Sequence, residues 1–196
     1  MKKPYIAIFG SSGSGKTSIA RSICKFDPDY RFSVSTTDRS IRGIEVHGVD
    51  YYYKLPQEFT SMIERKEFLE YNPNYVGKRY GTTKLEIKRI EDLGKIPIFD
   101  LDYKGVEQLR EIYKNDIFIC FIESPIVVAQ KRLKERYDLS DEQIEARLKR
   151  AREEEIPFAR NRPDIVDLIV YNNESTILDV LVNEIYNKAM SWGLIV

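Results

Sequence analysis

Four short apolar runs punctuate the chain. Residues 5–9 (YIAIF), 96–102 (IPIFDLD), 117–123 (IFICFIE) and 167–172 (DLIVYN) are rich in β-branched and aromatic residues, and the first is bounded by Pro4 and Gly10. Runs of this length and kind predict strands buried on both faces, as in a parallel sheet. Between them the period turns helical. Residues 17–26 put Ile19, Ile23 and Phe26 on one side, and residues 85–93, 106–113 and 126–137 carry similar patterns. Strand alternating with helix predicts an α/β fold, a parallel sheet with helices on both faces.

Two segments break that alternation. Residues 35–83 hold polar, strand-like stretches (HGVDYYY, EFLEYNPNY) around a helical one (QEFTSMIERK), and are too long for a loop. They predict an inserted subdomain. Residues 137–155 are strongly charged with a thin apolar stripe, and Ser140 followed by Gln143 has the form of a capping box. They predict a poorly buried helical lid. The core is then 1–34, 84–136 and 156–196.

Composition narrows the picture. A chain of 196 residues suits one α/β domain with insertions, and 42% apolar residues supply a core. Lysine plus arginine equals aspartate plus glutamate at 31 each. That balance argues against a general nucleic-acid or membrane-surface binder. No apolar segment is long enough for a signal peptide or a membrane span, so a cytoplasmic protein is expected. Cys24 and Cys120 stand alone in apolar surroundings and read as reduced core thiols, not zinc ligands.

The chemistry begins at Gly10-Ser11-Ser12-Gly13-Ser14-Gly15-Lys16-Thr17, a full G-x-x-x-x-G-K-[ST] between a predicted strand and a predicted helix. Such a loop, running on into Ser18, turns backbone N–H groups and a helix N-terminus onto phosphate oxygens. Lys16 is expected to reach the β- and γ-phosphates, and the Thr17 hydroxyl a magnesium ion. A chance match in a chain of this size is on the order of one in a hundred or less. Nucleoside triphosphate binding follows; the reaction does not, because kinases and hydrolases share the loop. A kinase needs a second pocket for its acceptor. Arg39 and Arg42 are spaced to fork onto one phosphate, and Tyr51 offers a hydroxyl beside them.

With those residues in place the chain resembles guanylate kinase, a family that transfers a phosphoryl group from ATP to GMP. The series runs in order through Phe32-Ser33-Val34-Ser35, Arg39-x-x-Arg42-x-x-Glu45, Gly48-x-Asp50-Tyr51, Phe68-Leu69-Glu70 and Tyr80-Gly81-Thr82-Thr83. Asp100-Leu101-Asp102 with Gly105, Arg132-Leu133 with Arg136, Arg147-Leu148 and Asn172 follow. The resemblance implies a P-loop three-layer core, an insert that binds the nucleoside monophosphate, and a closing lid. It implies that Arg39, Arg42, Tyr51 and Tyr80 hold the GMP phosphate, with Glu45 orienting the arginines. Ser35, Glu70 and Thr82 would read guanine, whose N1–H and N2–H donors suit a carboxylate where adenine's N1 acceptor does not. Asp100 and Asp102 would assist magnesium and the acceptor, and Asn172 would border the adenine pocket. Arg132 and Arg136 share a helix face; Arg136 and Arg147 would close over the transferred phosphate, with Arg39 and Lys16, by positioning and charge neutralisation. ATP and Mg2+ are the implied cofactors and GMP or dGMP the acceptor, in a monomer or homodimer.

The chain departs from the family pattern at Asp38, Ile41, Ile44 and Tyr137. The stretch from Glu70 to Tyr80 is about one residue long, and residues 156–164 look expanded. Asp38 is expected to set a negative charge beside the phosphate-binding arginines. Two other functions compete: a ribose bisphosphate phosphokinase, which needs no base-reading carboxylate, and a non-catalytic guanylate-kinase-like binding module, which typically lacks the loop lysine.

Overall fold

The computed structural model describes residues 3–136 and 139–192, with the main chain alone at residue 136. Its centre is a five-stranded, all-parallel sheet in the order β2-β7-β1-β8-β9. β1 is Tyr5–Gly10, β7 Ile96–Leu101, β8 Ile117–Glu123 and β9 Leu168–Tyr171, which are the four predicted strands. β2 (Tyr30–Phe32) adds an edge that the sequence pattern does not mark.

Strand alternation divides the core into two layers. Ile6 and Ile8 of β1, with Phe118, Cys120 and Ile122 of β8, face α1 (Lys16–Phe26) and α8 (Leu178–Trp192). Ala7 and Phe9, with Ile117, Ile119 and Phe121, face α3 (Lys84–Glu91), α4 (Tyr103–Tyr113) and α7 (Ile156–Asn161). Both cysteines are free and packed in or against the first layer, and Trp192 packs on Phe118.

A second sheet, β4-β3-β6-β5, stands beyond the carboxyl ends of β1 and β7. It comprises β3 (Thr36–Thr37), β4 (Tyr52–Tyr53), β5 (Phe68–Tyr75) and β6 (Lys78–Thr83). The stretch 47–53 is therefore not one strand: only Tyr52–Tyr53 pairs regularly, with an isolated bridge from His47 to Tyr51. β6, which the pattern of polar residues hides, is the central partner of β5. Helix α2 (Pro56–Glu64) closes one face of this sheet by stacking Phe59 on Phe68 at 4.6 Å, with Met62 alongside.

The charged segment is not a single helix. α5 (Ile126–Arg136) packs Ala129 and Leu133 against Ile144 and Leu148 of α6 (Asp141–Arg150). A π turn, Ala151–Glu155, then joins α6 to α7. α6 opens with the expected capping box, Ser140 Oγ accepting from the Gln143 N–H while Gln143 reaches back to the Ser140 N–H. Residues 137 and 138, where the lid was expected to begin, lie outside the described residues.

Candidate active site

The loop after β1 is shaped by glycines at two positions that admit nothing larger. Gly13 has φ 83°, and a Cβ there would lie 2.6 Å from the Ala129 carbonyl oxygen; Gly15, the N-cap of α1, has φ 89° and its Cβ would lie 2.6 Å from Asn172 Nδ2. The outside of the loop is tied down. Asn172 Nδ2 donates to the Ser14 carbonyl at 2.7 Å and Arg132 Nη1 to the Gly13 carbonyl at 3.3 Å. Both side chains therefore buttress the loop from behind. Asn172, expected at the adenine pocket, spends its amide on the loop backbone.

Inside the loop a single cavity opens between the two sheets and under α6. Gly10, Ser12, Gly13, Lys16 and Thr17 line one end. Ser35, Arg39, Arg42, Glu45, Tyr51 and Tyr80 line the middle. Glu70 and Asp102 line the far side, and Asp100 and Arg147 also face the cavity. Ser11, Ser14, Gly15, Ser18 and Thr82 do not line it; Thr82 is fully buried and presents its N–H to Glu70. The side chain of Arg136 lies outside the described residues.

The Thr17 hydroxyl donates to the Asp100 carboxylate at the end of β7. A hydroxyl and a carboxylate side by side are hard oxygen donors of the kind Mg2+ takes, with water and phosphate completing its shell. No group of three His, Cys, Asp or Glu suited to a metal occurs among the described residues.

In the middle of the cavity Arg39 is 4% exposed and forks onto Glu45, with both Nη···Oε distances at 2.7 Å. Its Nε donates to the Tyr80 hydroxyl at 3.1 Å, and its guanidinium lies 4.8 Å from the Tyr51 ring centroid. Glu45 also accepts from the Arg42 N–H and the Tyr53 hydroxyl. Burial pushes the Glu45 pKa up, but the Arg39 fork and those donors outweigh it and hold the carboxyl down to about 2. Burial, and the neighbouring charges of Arg39 and Arg147, lower the Arg42 pKa. Glu45 thus fixes Arg39 as a rigid platform.

Of the departures from the family pattern, Asp38 and Ile44 are accounted for by their surroundings, and Tyr137 lies outside the described residues. Asp38 is taken up by Arg79, whose Nε and N–H donate to it at 2.6 and 2.8 Å, so it does not oppose Arg39 and Arg42. Ile44 is 97% exposed, and Gly43, with φ 46°, supplies the left-handed turn one residue earlier. His47 merely accepts from the Tyr53 N–H.

On the far side Glu70 is 3% exposed and accepts from the Thr82 N–H at 2.7 Å. Burial, with help from Asp102, pushes its pKa up to about 8 against that hydrogen bond. Asp102 N-caps α4 through the Gly105 N–H and also accepts from Asn72 Nδ2. Its carboxylate, expected from sequence to assist the acceptor, lines the cavity while held by these two donors. Asn72 and Tyr75 also line the cavity, and sequence reasoning missed them. The Tyr75 hydroxyl meets Ser12 Oγ at 2.8 Å, and Arg147 Nη1 donates to the same Ser12 oxygen at 3.1 Å. P-loop, second sheet and α6 converge there.

A guanylate kinase family model matches residues 1–186. The chain belongs to the guanylate kinase family. It is 34% identical to the guanylate kinase of Salinibacter ruber over 180 residues, 91% of each chain. It is equally identical to that of Hyphomonas neptunium over 173 residues, 88% of this chain and 77% of the relative. The fold matches a crystal structure of guanylate kinase from Anaplasma phagocytophilum with a TM-score of 0.71 at 21% identity, covering 96% of this chain and 86% of that one. Within this family fold, the parallel sheet carries the phosphate loop, the second sheet carries Tyr80 and Glu70, and the bend after β3 carries Arg39.

Proposed function

We propose that the protein is a guanylate kinase, catalysing ATP + GMP ⇌ ADP + GDP. One observation carries the reading: a phosphate-binding loop and a buried carboxylate fit for guanine share one cavity, with Arg39, Arg42 and Arg147 between them. The γ-phosphate of ATP lies on the loop under Lys16. The GMP phosphate lies between Arg42, Tyr51 and Tyr80, on the platform set by Arg39. A GMP phosphate oxygen forms the new bond to the γ-phosphorus while the bond to the β-phosphate bridging oxygen breaks and its electron pair stays with ADP. Arg147, above Ser12, neutralises charge on the group in transit. Thr17 and Asp100 would hold Mg2+, which when bound offsets the charge of the β- and γ-phosphates. Glu70 accepts the two adjacent guanine N–H donors, and Ser35 lines the same cavity.

The same reading places residues 35–83 as the acceptor-binding part and 137–155 as the lid. It admits dGMP as acceptor and assigns the protein to purine nucleotide metabolism in the cytoplasm. No described helix is long and apolar enough to cross a membrane. Lys16 on the loop argues against a binding module, and Glu70 in the pocket argues against a sugar-phosphate kinase.

A coupled ADP-release assay across nucleoside monophosphates and ribose 1,5-bisphosphate tests this. GMP is expected to be turned over and AMP, CMP, UMP and the sugar bisphosphate not, with Lys16→Ala lowering turnover by at least about 10²-fold. ADP release with the sugar bisphosphate and none with GMP would overturn the assignment.

A further inference from the structure

Two local irregularities of this chain face each other. In the β5–β6 ladder, Asn72 pairs with Tyr80 and Tyr75 with Lys78, so β5 carries one extra residue across that step. In the lid, the π turn Ala151–Glu155 widens the helix by a residue per turn at the end of α6. Arg150, the last residue of α6, fills the junction and is 8% exposed. Its guanidinium lies 4.2 Å from the Tyr75 ring centroid and 5.2 Å from that of Tyr103. Nη2 donates to Asp102 Oδ2 at 3.3 Å and Nη1 to the Asn74 carbonyl at 3.4 Å. Nε faces Glu154 and Glu155 carboxylate oxygens at 3.4 and 3.6 Å.

Apart from the two glutamates, the partners of Arg150 lie on β5 of the second sheet and at the start of α4. Asn74 and Tyr75 are on the bulged strand, and Asp102 also binds Asn72 of that strand while capping α4. Gly105 in the first turn of α4 lies against Glu70, where a Cβ would come within 2.8 Å of Oε2. Arg150 thereby joins the lid to the framework around the base-reading carboxylate, alongside the Tyr103 hydroxyl, which donates to Glu154 at 3.0 Å. A planar guanidinium suits the place, because it can lie over an aromatic ring and fork to two acceptors at once; an ammonium cannot do both.

We propose that Arg150 is a positioning residue that latches the lid onto the base side of the acceptor pocket, so that acceptor binding and lid closure reinforce each other. Its effect on GMP rests on the function proposed above. Lifting α6 withdraws the cation from Asp102 and frees β5 from the lid. Closing it fixes Asp102, and with it the N-terminus of α4 behind Glu70.

The test compares wild type with Arg150→Met and Arg150→Lys. Steady-state kinetics of Arg150→Met are expected to raise the KM for GMP about tenfold while the KM for ATP stays within about twofold, with Arg150→Lys recovering part of the loss. Equal effects on both substrates, or none, would overturn the proposal. Amide hydrogen exchange without nucleotide gives a second readout that does not depend on the substrate assignment. In Arg150→Met, residues 141–155 and 72–75 are expected to exchange at least about fivefold faster, with β1 and β8 unchanged. Unaltered exchange in those two segments, or acceleration reaching β1 and β8, counts against the latch. If Arg150→Met does not fold, Arg150→Lys is held to the same criteria. A wild type that ignores GMP removes the function but leaves the exchange result to decide the latch.

Discussion

Glu70 shows how burial sets the working state of a single group. Its pKa is pushed from the ordinary 4.5 to about 8 by burial, which favours the neutral carboxyl at pH 7. The folded state then carries a proton that the unfolded chain releases between those two values. That contribution to stability is full below pH 4.5 and is lost as the pH rises through about 8. Guanine's donors need the ionised form, so GMP binding expels the proton. The KM for GMP should fall as pH rises from 6 to 8, by at most about tenfold per unit, with no matching trend for ATP. Glu70→Gln should flatten that profile and weaken GMP by about 10–100-fold; a retained slope would assign the titration to another group. Arg39 and Glu45, 4% and 9% exposed, form the other decisive pair. Arg39→Met strands a buried carboxylate and should cost about 3–5 kcal/mol, read as a lower urea midpoint. Asp38 carries the complementary lesson. Its charge was legible in the sequence, but Arg79, its actual partner, stands 41 residues away.

Among the elements, legibility follows length and period. The four long core strands and α1 carry enough apolar residues for their pattern to be read, and the P-loop's glycines announce its turn. β3 and β4 have two residues each and carry no period at all; β3 is a strand because it sits between β6 and β4. β6 reads KRYGTT and is made a strand by β5 and β3 on either side. The lid helix is marked by its capping box, whereas the π turn after it depends on burying Glu155 and Arg150. Ser140→Ala removes the cap and should destabilise α6 by about 1 kcal/mol. Exchange in α6 should then be roughly fivefold faster with β1 and β8 unaffected; a uniform change across the chain would mean that the lid does not open separately.

At the scale of the whole molecule, the site belongs to no single element. Its phosphate end rests on the parallel sheet, its base end on the second sheet, and its roof on α6. A ligand that touches these parts together binds only the folded, closed arrangement. GMP at 100 times its Kd should therefore add about 2.7 kcal/mol of stability, raising Tm by about 5–10 °C for a chain of this size. A thermal-shift series with AMP and ribose 1,5-bisphosphate should show no comparable rise; an equal rise with AMP would remove the base specificity assigned to Glu70.

The alternating core, the phosphate loop and the ordered set of arginines, tyrosines and carboxylates can be read along the chain, because period, glycine spacing and motif order are local properties. Which partner each of those groups takes depends on the folded arrangement. Asn172 went to the loop backbone, Asp102 to a helix cap and a lid arginine, Asp38 to Arg79, and Arg150 to the junction between lid and second sheet. Each outcome is a pairing of buried polar groups across 30 residues or more, except the helix cap. Such pairings are set by which surfaces the fold removes from water, not by the neighbours of a residue along the chain.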